Sequence, residues 1–572
     1  MSVEKDITQL WRLYQNGKEY HTRIGLQQQV NTNTNFYFDQ QWLGVKANGL
    51  DKPVFNIVKR VANYFRAVIM PQDIKMNFVP ELVNDINPNE KEAEIKKLAE
   101  LANAHISDIW EKNKMESMIR DELLLDAELS GDMCLYVPWN NNIDIGLPKM
   151  DGVLLKDPIK GDIDNQRISN VNVFFGNPND RRVNSRGLPV QPYIIIAFRE
   201  PVADLKAEAK KYKGEPNKIE SDLDNQEQVG MYGQIEIQNN GESEGKATVL
   251  LKMYHKDGKI YCTKAGKYGT IRPEWETKLS IYPLAWANWD RRDNCYHGQA
   301  LATGIIDNQL FINKSFSLLM LWLKAMAVPK IFYDKTRIAK YTGKIAEAIG
   351  VDGDINGVAV SMSPSQLSNQ VFLLIDKVIQ YTKEFLGVSD IGLGQISNPD
   401  NASALGTAIE QVETPLNNYK NTIYQFVEDV GYIWLDYMAN YYGKRYVSVP
   451  DEEGKKTVEQ VDFDLLKTHK FRIKIDVGAT SKWSEIAVMK TLDNLLQLGH
   501  LPFVEYIKSY PKGKMPVRRE FIQKLEEAEK QQEQTMAASS KIQTLPVEEQ
   551  ERLAGLPDAE FQQAVLQMTQ QQ

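Results

Sequence analysis

The feature that most constrains the fold of this chain is a run of apolar residues at three-to-four spacing between residues 405 and 441. Such spacing places the side chains on one face of a single helix. The residues are Leu405, Ala408, Ile409, Val412, Leu416, Tyr419, Ile423, Phe426, Val427, Val430, Trp434, Tyr437, Met438 and Tyr441. About forty residues at ~1.5 Å each would span ~60 Å. Pro415, in the first third, removes a backbone donor and is predicted to kink this helix.

A loop rich in Gly, Asn and Ser, residues 388–401, precedes the long helix. It contains Gly392-Leu393-Gly394, the start of a dinucleotide-binding fingerprint, but Ser397 stands where the third glycine would be and no strand precedes the loop. No Gly-Lys-Ser/Thr phosphate loop follows a suitable glycine elsewhere. The sequence therefore argues against nucleotide binding and ATP hydrolysis, and no cofactor is expected.

The most apolar stretch of the chain, Phe316 to Pro329, contains Lys324 and falls short of the ~20 residues that cross a bilayer. It is better interpreted as a packed helix than as a membrane span. A helix that is apolar almost all round must be covered on every side. The stretch therefore predicts burial in a bundle or between subunits.

At 572 residues the chain is long enough for two to four domains of mixed α+β class. Short helices are predicted over the first ~80 residues, and one or two longer helices from Asn87, with Gly131 as the stop. Runs rich in β-branched and aromatic residues from Asp132 to Trp289 predict a β-rich region. A helical block begins at Gln299, and a strand, a helix and a second strand are predicted at 330–338, 339–350 and 357–365.

The numbers of charged residues and cysteines exclude several classes of protein. A net charge of −8 gives no basic excess of the kind that tight nucleic-acid binding needs. Three widely separated cysteines form no disulfide framework and favour a reducing compartment. Charges near the N-terminus leave no apolar stretch for a signal peptide.

A zinc site is conceivable from two histidines and two cysteines in one region, but their spacing matches no zinc finger or ribbon, so no metal is expected. The residues are His255, Cys262, Cys295 and His297.

Between Val371 and Tyr441, nine acidic residues stand against three lysines. An acidic surface repels phosphate and would suit a passage in which DNA slides without adhering. An ordinary solvated helix face explains the same count, and charge alone leaves both interpretations open.

The order of these segments resembles that of portal proteins, the head-tail connectors of tailed bacteriophages. The resemblance extends over nearly the whole chain and appears in local stretches such as "KPVFNIVKRVANYFRAVIM", "MESMIRDELLLDAELSGDMCLYV" and "GQALATGIIDNQLFINKSFS". It implies a portal-type fold with the following parts: a helical and β-rich wing at 1–298, a first stem helix at 299–326, a small α/β clip at 327–364, a second stem helix at 365–387, a channel loop at 388–401, a long kinked helix returning to the wing at 402–489, and a helical crown with a Gln-rich tail at 490–572.

The resemblance also implies a function without catalysis. The subunit would form a ring, of twelve copies in the family, at one capsid vertex, after assembly in the host cytoplasm. The ring would conduct double-stranded DNA without sequence specificity and would contact the major capsid protein, terminase and then neck proteins, with a role for scaffolding protein left open. Channel-loop candidates are Asp390, Gln395, Asn398, Asp400 and Asn401, and Pro415 sets the kink. The alternative is a cytoplasmic scaffold or adaptor protein with a helical interaction tail.

Overall fold

The structure is a computed structural model. It describes residues 2–46, 49–69, 74–80, 89–144, 149–150, 153–154, 160–180, 190–222, 245–327, 330–338, 351–362, 369–388, 416–450, 456–467, 471–476, 491–498 and 503–509. The chain divides into two compact units, Met1–Val477 and Gly478–Gln572, and all the described strands lie in the first.

Helices and strands are both abundant, as the mixed α+β prediction requires. The described helices of the first unit are α1 (Ser2–Arg23), α2 (Leu26–Tyr37), α3 (Ile57–Ile69), α4 (Asn89–Lys112), α5 (Met115–Ser117), α6 (Leu124–Ser130), α7 (Val202–Lys211), α8 (Ile306–Ala327), α9 (Asn369–Phe385) and α10 (Asn417–Tyr437). The π-helical turns are Met118–Leu123 and Met438–Tyr442. In the second unit the described helices are α11 (491–497) and α12 (Phe503–Ser509).

All the described strand pairs are antiparallel. The strands are β1 (Lys75–Pro80), β2 (Asp132–Tyr136), β3 (Trp139–Asp144), β4 (Lys149–Met150), β5 (Val153–Leu154), β6 (Lys160–Ile163), β7 (Gln166–Arg167), β8 (Val173–Phe175), β9 (Tyr193–Pro201), β10 (Lys246–Lys256), β11 (Lys259–Ala265), β12 (Thr270–Glu276), β13 (Leu284–Asn288), β14 (Lys330–Tyr333), β15 (Ala359–Met362), β16 (Lys444–Pro450), β17 (Lys456–Asp462) and β18 (Phe471–Asp476).

The largest sheet has the strand order β12-β11-β10-β9-β8, and a smaller one has the order β13-β2-β7. The remaining strands form the pairs β1-β18, β14-β15, β16-β17, β3-β6 and β4-β5. The β-rich region predicted between Asp132 and Trp289 is thus confirmed for the described residues, and β14 and β15 lie where strands are predicted. The helix predicted at 339–350 lies outside the described residues.

The first helix is longer than the short helices predicted for this part of the chain. Its apolar residues Ile7, Leu10 and Tyr14 recur at three-to-four spacing and are buried against Phe174 and the large sheet. Tyr14 meets the ring of Phe174 edge-on at a centroid distance of 4.9 Å. The sheet face therefore stabilises α1 as a 22-residue helix.

Helix α10 is the described part of the long periodic run, and its core-facing residues follow the predicted pattern. Phe426, Val427, Val430 and Trp434 are fully buried. The indole Nε1 of Trp434 donates to Asn165 Oδ1 at 3.1 Å, so the polar atom of this large side chain is satisfied inside the core. The part of the run before Leu416, including Pro415, lies outside the described residues.

The helical block predicted to begin at Gln299 begins later. The backbone N–H of Gln299 donates to Asp290 O at 2.8 Å, and Asp290 N–H donates back at 3.3 Å, which makes Gln299 part of a β-bridge. A 3-10 turn at Ala302–Gly304 follows, and α8 starts only at Ile306. The difference arises because a strand-like pairing across a turn occupies the backbone groups of Gln299 that a helix would use.

A buried carboxylate holds the end of the β-rich region together. Asp132 Oδ1 accepts from Asn288 Nδ2 at 2.6 Å and from the backbone N–H of Gly298 at 2.8 Å. Its Oδ2 accepts from Asn170 Nδ2 at 2.8 Å and from His297 Nδ1 at 3.0 Å. Because a carboxylate only accepts, Nδ1 of His297 carries the proton in this contact. Four donors compensate the loss of water around this carboxylate.

Gly131 ends α6, as predicted, and approaches the segment that leads to α8. Its φ is 90°, and its N–H donates to Ala127 O at 3.0 Å. A Cβ at this position would lie 2.8 Å from the backbone oxygen of Gly298. Glycine is therefore required both by the left-handed backbone and by the contact with a neighbouring backbone.

We expect Gly131→Ala to lower the free energy of unfolding by ~2–4 kcal/mol, because a left-handed alanine costs ~1 kcal/mol and the backbone clash adds ~1–3 kcal/mol. The matched control is Gly25→Ala, where φ is 67° and no atom lies within 4 Å of the added Cβ. Denaturant unfolding of the two variants measures the difference. Equal losses at the two positions would contradict the role of the close approach to Gly298.

Candidate functional site

The residues predicted to form the channel loop lie outside the described residues. They are Asp390, Gln395, Asn398, Asp400 and Asn401, and Pro415 lies outside as well. The structure does describe both helices that flank the predicted clip and five of the nine acidic residues counted between Val371 and Tyr441.

Two of those five acidic residues bind groups of the same chain, and one of the two is buried. Asp436 Oδ2 accepts from the backbone N–H groups of Ser280 at 2.7 Å and Ile281 at 3.2 Å. Asp429 is 6% exposed and accepts from Gln425 Nε2 at 3.1 Å, and burial raises the pKa of its carboxyl to about 7. The charge count therefore overstates the acidic surface of this region.

The four residues considered for zinc have separate structural roles. The ring of His255 packs against Tyr282 at 4.7 Å, and the buried Cys262 lies on β11. Cys295 Sγ lies 3.3 Å from the hydroxyl of Tyr20, and His297 donates to Asp132. Within the described parts of the chain, no three His, Cys, Asp or Glu side chains are grouped to hold a metal ion.

Helix α8 leads into β14 and α9 follows β15, and these two strands pair antiparallel. Because the start of α8 also contacts the end of α9, the two helices run antiparallel as a hairpin, and one side-chain contact identifies their inner faces. Asn308 Nδ2 donates to Thr382 Oγ1 at 3.0 Å. Ile312 and Leu319 follow Asn308 on the same face of α8, Ile375 lies on the same face of α9 as Thr382, and all three apolar side chains are buried. These faces pack the two helices together.

A row of buried polar side chains runs along a second face of α8. We call it the polar row, and its members are Gln309, Asn313 and Ser317, which are 0%, 1% and 2% exposed. Gln309 Nε2 donates to Phe55 O at 2.8 Å, and its Oε1 accepts from Ile57 N–H at 2.7 Å. The first member of the row therefore binds the backbone at the start of α3.

The rest of the polar row attaches α8 to the segment before α3. Asn313 Nδ2 donates to Gln41 Oε1 at 2.6 Å, and Ser317 Oγ donates to Asp51 O at 2.6 Å. Two helical turns further on, Lys324 forms an exposed ion pair with the carboxylate of Asp51 at 2.6 Å. The polar face of this apolar helix is thus the face that turns inward, and its partners leave no polar group of the row unsatisfied.

The apolar residues of the hairpin point outward instead. Of the 23 large apolar side chains exposed in the described part of the chain, ten lie on α8 and α9. They are Phe311, Leu318, Leu321, Leu323, Met326, Phe372, Leu373, Leu374, Tyr381 and Phe385, with exposures from 41% to 87%. Contiguous exposed apolar surface of this kind marks an interaction site.

None of the described helices combines the length and the apolar composition that a membrane span needs. The β14-β15 pair at the tip of the hairpin carries a second apolar feature, since Phe332 and Val360 are cross-strand partners and are 61% and 62% exposed. The structure therefore places its main unpartnered apolar surface on α8, α9 and the strands between them.

The burial of the polar row was not predicted from the sequence. A signal was present, because Gln309, Asn313 and Ser317 follow one another at four-residue spacing in an otherwise apolar helix. Interpreted alone, that spacing suggests a solvent-facing strip. Only the distant partners Gln41 and Asp51 show that this strip is the buried one.

A family described as phage P22-like portal protein matches residues 212–572, well over half of the chain. No curated protein matches the chain. The matched range includes α8, α9 and α10 together with both strands between α8 and α9.

We expect Asp429→Asn to raise the free energy of unfolding at pH 8 by ~2–4 kcal/mol. Burial raises the pKa of Asp429 in the folded protein to about 7, whereas in the unfolded chain the group ionises near its ordinary value of 3.8. Above pH 7 the buried carboxylate is therefore ionised at a cost, and that cost falls as the pH decreases from 7 to 4.

The gain from Asp429→Asn should accordingly disappear near pH 4, which unfolding curves between pH 4 and pH 8 will test. Glu428→Gln, at the neighbouring half-buried carboxylate, is the matched control for loss of one acidic group. A gain that does not change with pH would show that burial of the Asp429 charge is not its cause.

Proposed function

Because the chain belongs to the phage P22-like portal protein family, we propose that its copies assemble into a ring at one vertex of a phage capsid and that double-stranded DNA enters and leaves through this ring. The family is structural, and the subunit acts by assembly and contact rather than by catalysis. The protein is accordingly a component of the virion.

The observation that carries the ring proposal is the inverted arrangement of α8, with polar side chains inside and apolar side chains outside. Full burial of a Leu or Phe side chain gains ~1.5–3 kcal/mol. Ten such side chains on one hairpin are a large unsatisfied apolar surface for a single copy. A neighbouring copy that buries these side chains would stabilise the assembly.

A ring in particular follows from the kind of contact the hairpin can make. Its two sides differ in sequence, and a contact between one side of a copy and the other side of the next copy is heterologous. Such contacts close without an exposed edge when the rotation between copies divides a full turn. The family resemblance implies twelve copies.

We assign the parts of the ring as follows: wing 1–298, stem helices 299–326 and 365–387, clip 327–364, channel loop 388–401, long kinked helix with return to the wing 402–489, and crown 490–572. In this assignment α8 and α9 are the helical cores of the stem, and β14 and β15 belong to the clip. The exposed pair Phe332 and Val360 supports contact of the clip with other proteins. Terminase would bind there first and neck proteins later, while the wing meets the major capsid protein.

The channel loop would contact the moving DNA through its backbone and its short polar side chains. Asp390, Gln395, Asn398, Asp400 and Asn401 are the proposed contacts, with Pro415 as the kink behind them. A net charge of −8 supports passage of DNA without tight or sequence-specific binding, because acidic groups repel phosphate.

We expect Leu318→Glu to prevent ring assembly, because the substitution places a charge in the apolar contact between stem helices. Leu318 is 59% exposed in the single chain, so the folded subunit should tolerate the change. The matched control is Val190→Glu, at an apolar residue that is 45% exposed and far from the hairpin in sequence. Light scattering of the purified variants measures the assembled mass.

Rings from the control variant and single 65.3 kDa subunits from Leu318→Glu are the expected result. If both variants and the unmutated protein remain single subunits, even with scaffolding and capsid proteins present, the ring proposal fails and the adaptor alternative gains support.

Deletion of residues 391–398 should leave the ring intact and reduce DNA packaging or retention, because it shortens the channel loop without touching the stem. The measurement is the DNA content of particles assembled with the deletion variant. A replacement of the same eight residues by a Gly/Ser sequence of equal length is the control for loop length. Full packaging by the deletion variant would contradict a role of the loop in the channel.

A further inference from the structure

The side chains on either side of the α8-α9 hairpin form two stripes with matching patterns. The α8 stripe is Asp307, Phe311, Lys314 and Leu318. The α9 stripe is Phe372, Asp376, Ile379 and Lys383. Three of these apolar side chains are widely exposed, at 41% for Phe311, 59% for Leu318 and 50% for Phe372. Asp307, Lys314 and Asp376 are exposed as well.

The two stripes lie on opposite sides of the hairpin. On α8 the stripe comes one residue before the inner face, since Asp307 precedes Asn308. On α9 it comes one residue after the inner face, since Lys383 follows Thr382. Successive residues turn by ~100° about a helix axis. Because the two helices run in opposite directions, the residue before the inner face of α8 and the residue after the inner face of α9 point to opposite sides of the hairpin.

The Asn308–Thr382 hydrogen bond fixes which residues stand at the same level along the hairpin. Because both helices rise ~1.5 Å per residue in opposite directions, each step toward the C-terminus of α8 matches one step toward the N-terminus of α9. Lys314 then stands level with Asp376, so that a cation on one side of the hairpin matches an anion on the other. Asp307 stands level with Lys383, again with opposite charges.

The apolar members of the stripes match in the same register. Phe311 stands level with Ile379, and Leu318 stands level with Phe372. All four levels therefore combine opposite charges or two apolar side chains. Neither Lys314 nor Asp376 has an ion-pair partner within the part of the chain that the structure describes.

We propose that in the assembled ring the α8 stripe of each copy packs against the α9 stripe of the next copy, with Lys314 forming an ion pair with Asp376 across every subunit interface. This inference rests on the proposed ring function and adds the register of its subunit contact. In a ring whose hairpins stand along the ring axis, rotation about that axis leaves heights unchanged, so residues that are level within one hairpin can meet between neighbouring hairpins. Opposite sides of the hairpin form the contact, as closure of a ring requires.

The charges select this register over its neighbours. A slide of four residues along the helix would bring Lys314 beside Phe372 or Gln380 in place of Asp376. The apolar residues supply the area of the contact. Slipped arrangements are disfavoured because they leave Lys314 against the apolar ring of Phe372 or the uncharged amide of Gln380.

Charge reversal tests the proposal with three variants: Lys314→Asp, Asp376→Lys and the two combined. Each single variant faces like charges at every interface, so we expect about a tenfold lower assembled fraction at a protein concentration where the unmutated protein is half assembled. The combined variant restores the attraction and should assemble as the unmutated protein does. Lys206→Asp, at an exposed lysine on α7, makes the same charge change away from the hairpin and should leave assembly unchanged.

A mixture of the two single variants provides a sharper test. In a ring where the two variants alternate, one kind of interface pairs Asp at position 314 with Lys at 376 and the other pairs Lys314 with Asp376. Every interface is then attractive, so the mixture should assemble as the unmutated protein does, although each variant alone assembles about tenfold less. Native mass spectrometry with one variant isotopically labelled should find the two in equal numbers.

If the unmutated protein forms rings and the mixture fails to recover them, or if single reversals assemble normally, the Lys314–Asp376 pairing is overturned while the ring function stands. If the unmutated protein forms no ring under any condition, the ring function itself is overturned and the pairing with it. Thermal unfolding of each variant identifies any loss of assembly that comes from misfolding, and the combined variant then tests the pairing in a chain that carries both substitutions.

Discussion

The attachment of α8 to the segment around residues 41–57 determines which surface this protein offers to its surroundings. The polar row forms hydrogen bonds with Gln41, with Asp51 and with the backbone at the start of α3. These bonds keep that face of α8 buried inside the subunit. Leaving these buried donors and acceptors unpaired would cost ~1–3 kcal/mol each, which prevents the helix from rotating to hide its apolar residues. The outward apolar surface of the hairpin is therefore a consequence of how its polar side chains are bonded.

The base of the hairpin is also attached by hydrogen bonds to neighbouring elements. Asp132 binds the backbone of Gly298 just before the segment that leads to α8, and Gly131 lies close to the same backbone. Further on, Thr303 Oγ1 accepts from Gln29 Nε2 at 2.7 Å and from Asn33 Nδ2 at 2.9 Å. The β-rich body and the N-terminal helices thus meet at the point where the hairpin begins, and both contribute to its orientation.

Much of this architecture could be predicted from the sequence because local patterns determine it. Periodicity identified α10, β-branched runs identified the large sheet, and the positive φ available to glycine identified the stop at Gly131. Contacts between distant residues were not predictable in this way. The helix expected from Gln299 begins at Ile306 because Gln299 pairs with Asp290. Of the acidic residues counted as surface, Asp429 is buried and the half-buried Asp436 accepts from the backbone N–H groups of Ser280 and Ile281. The sequence of α8 predicts that this almost wholly apolar helix is covered. It does not predict which face of the helix packs inside the subunit or what covers the other faces.

The most direct test of the account is a cryo-electron microscopy reconstruction of the particle that the unmutated protein forms, at a resolution that shows side chains. The account predicts a closed ring in which Phe311, Leu318 and Phe372 are enclosed between neighbouring hairpins, while the polar row keeps its bonds to Gln41 and Asp51. A ring whose hairpins stand apart with these apolar side chains in solvent, or one that closes through other surfaces, would contradict it.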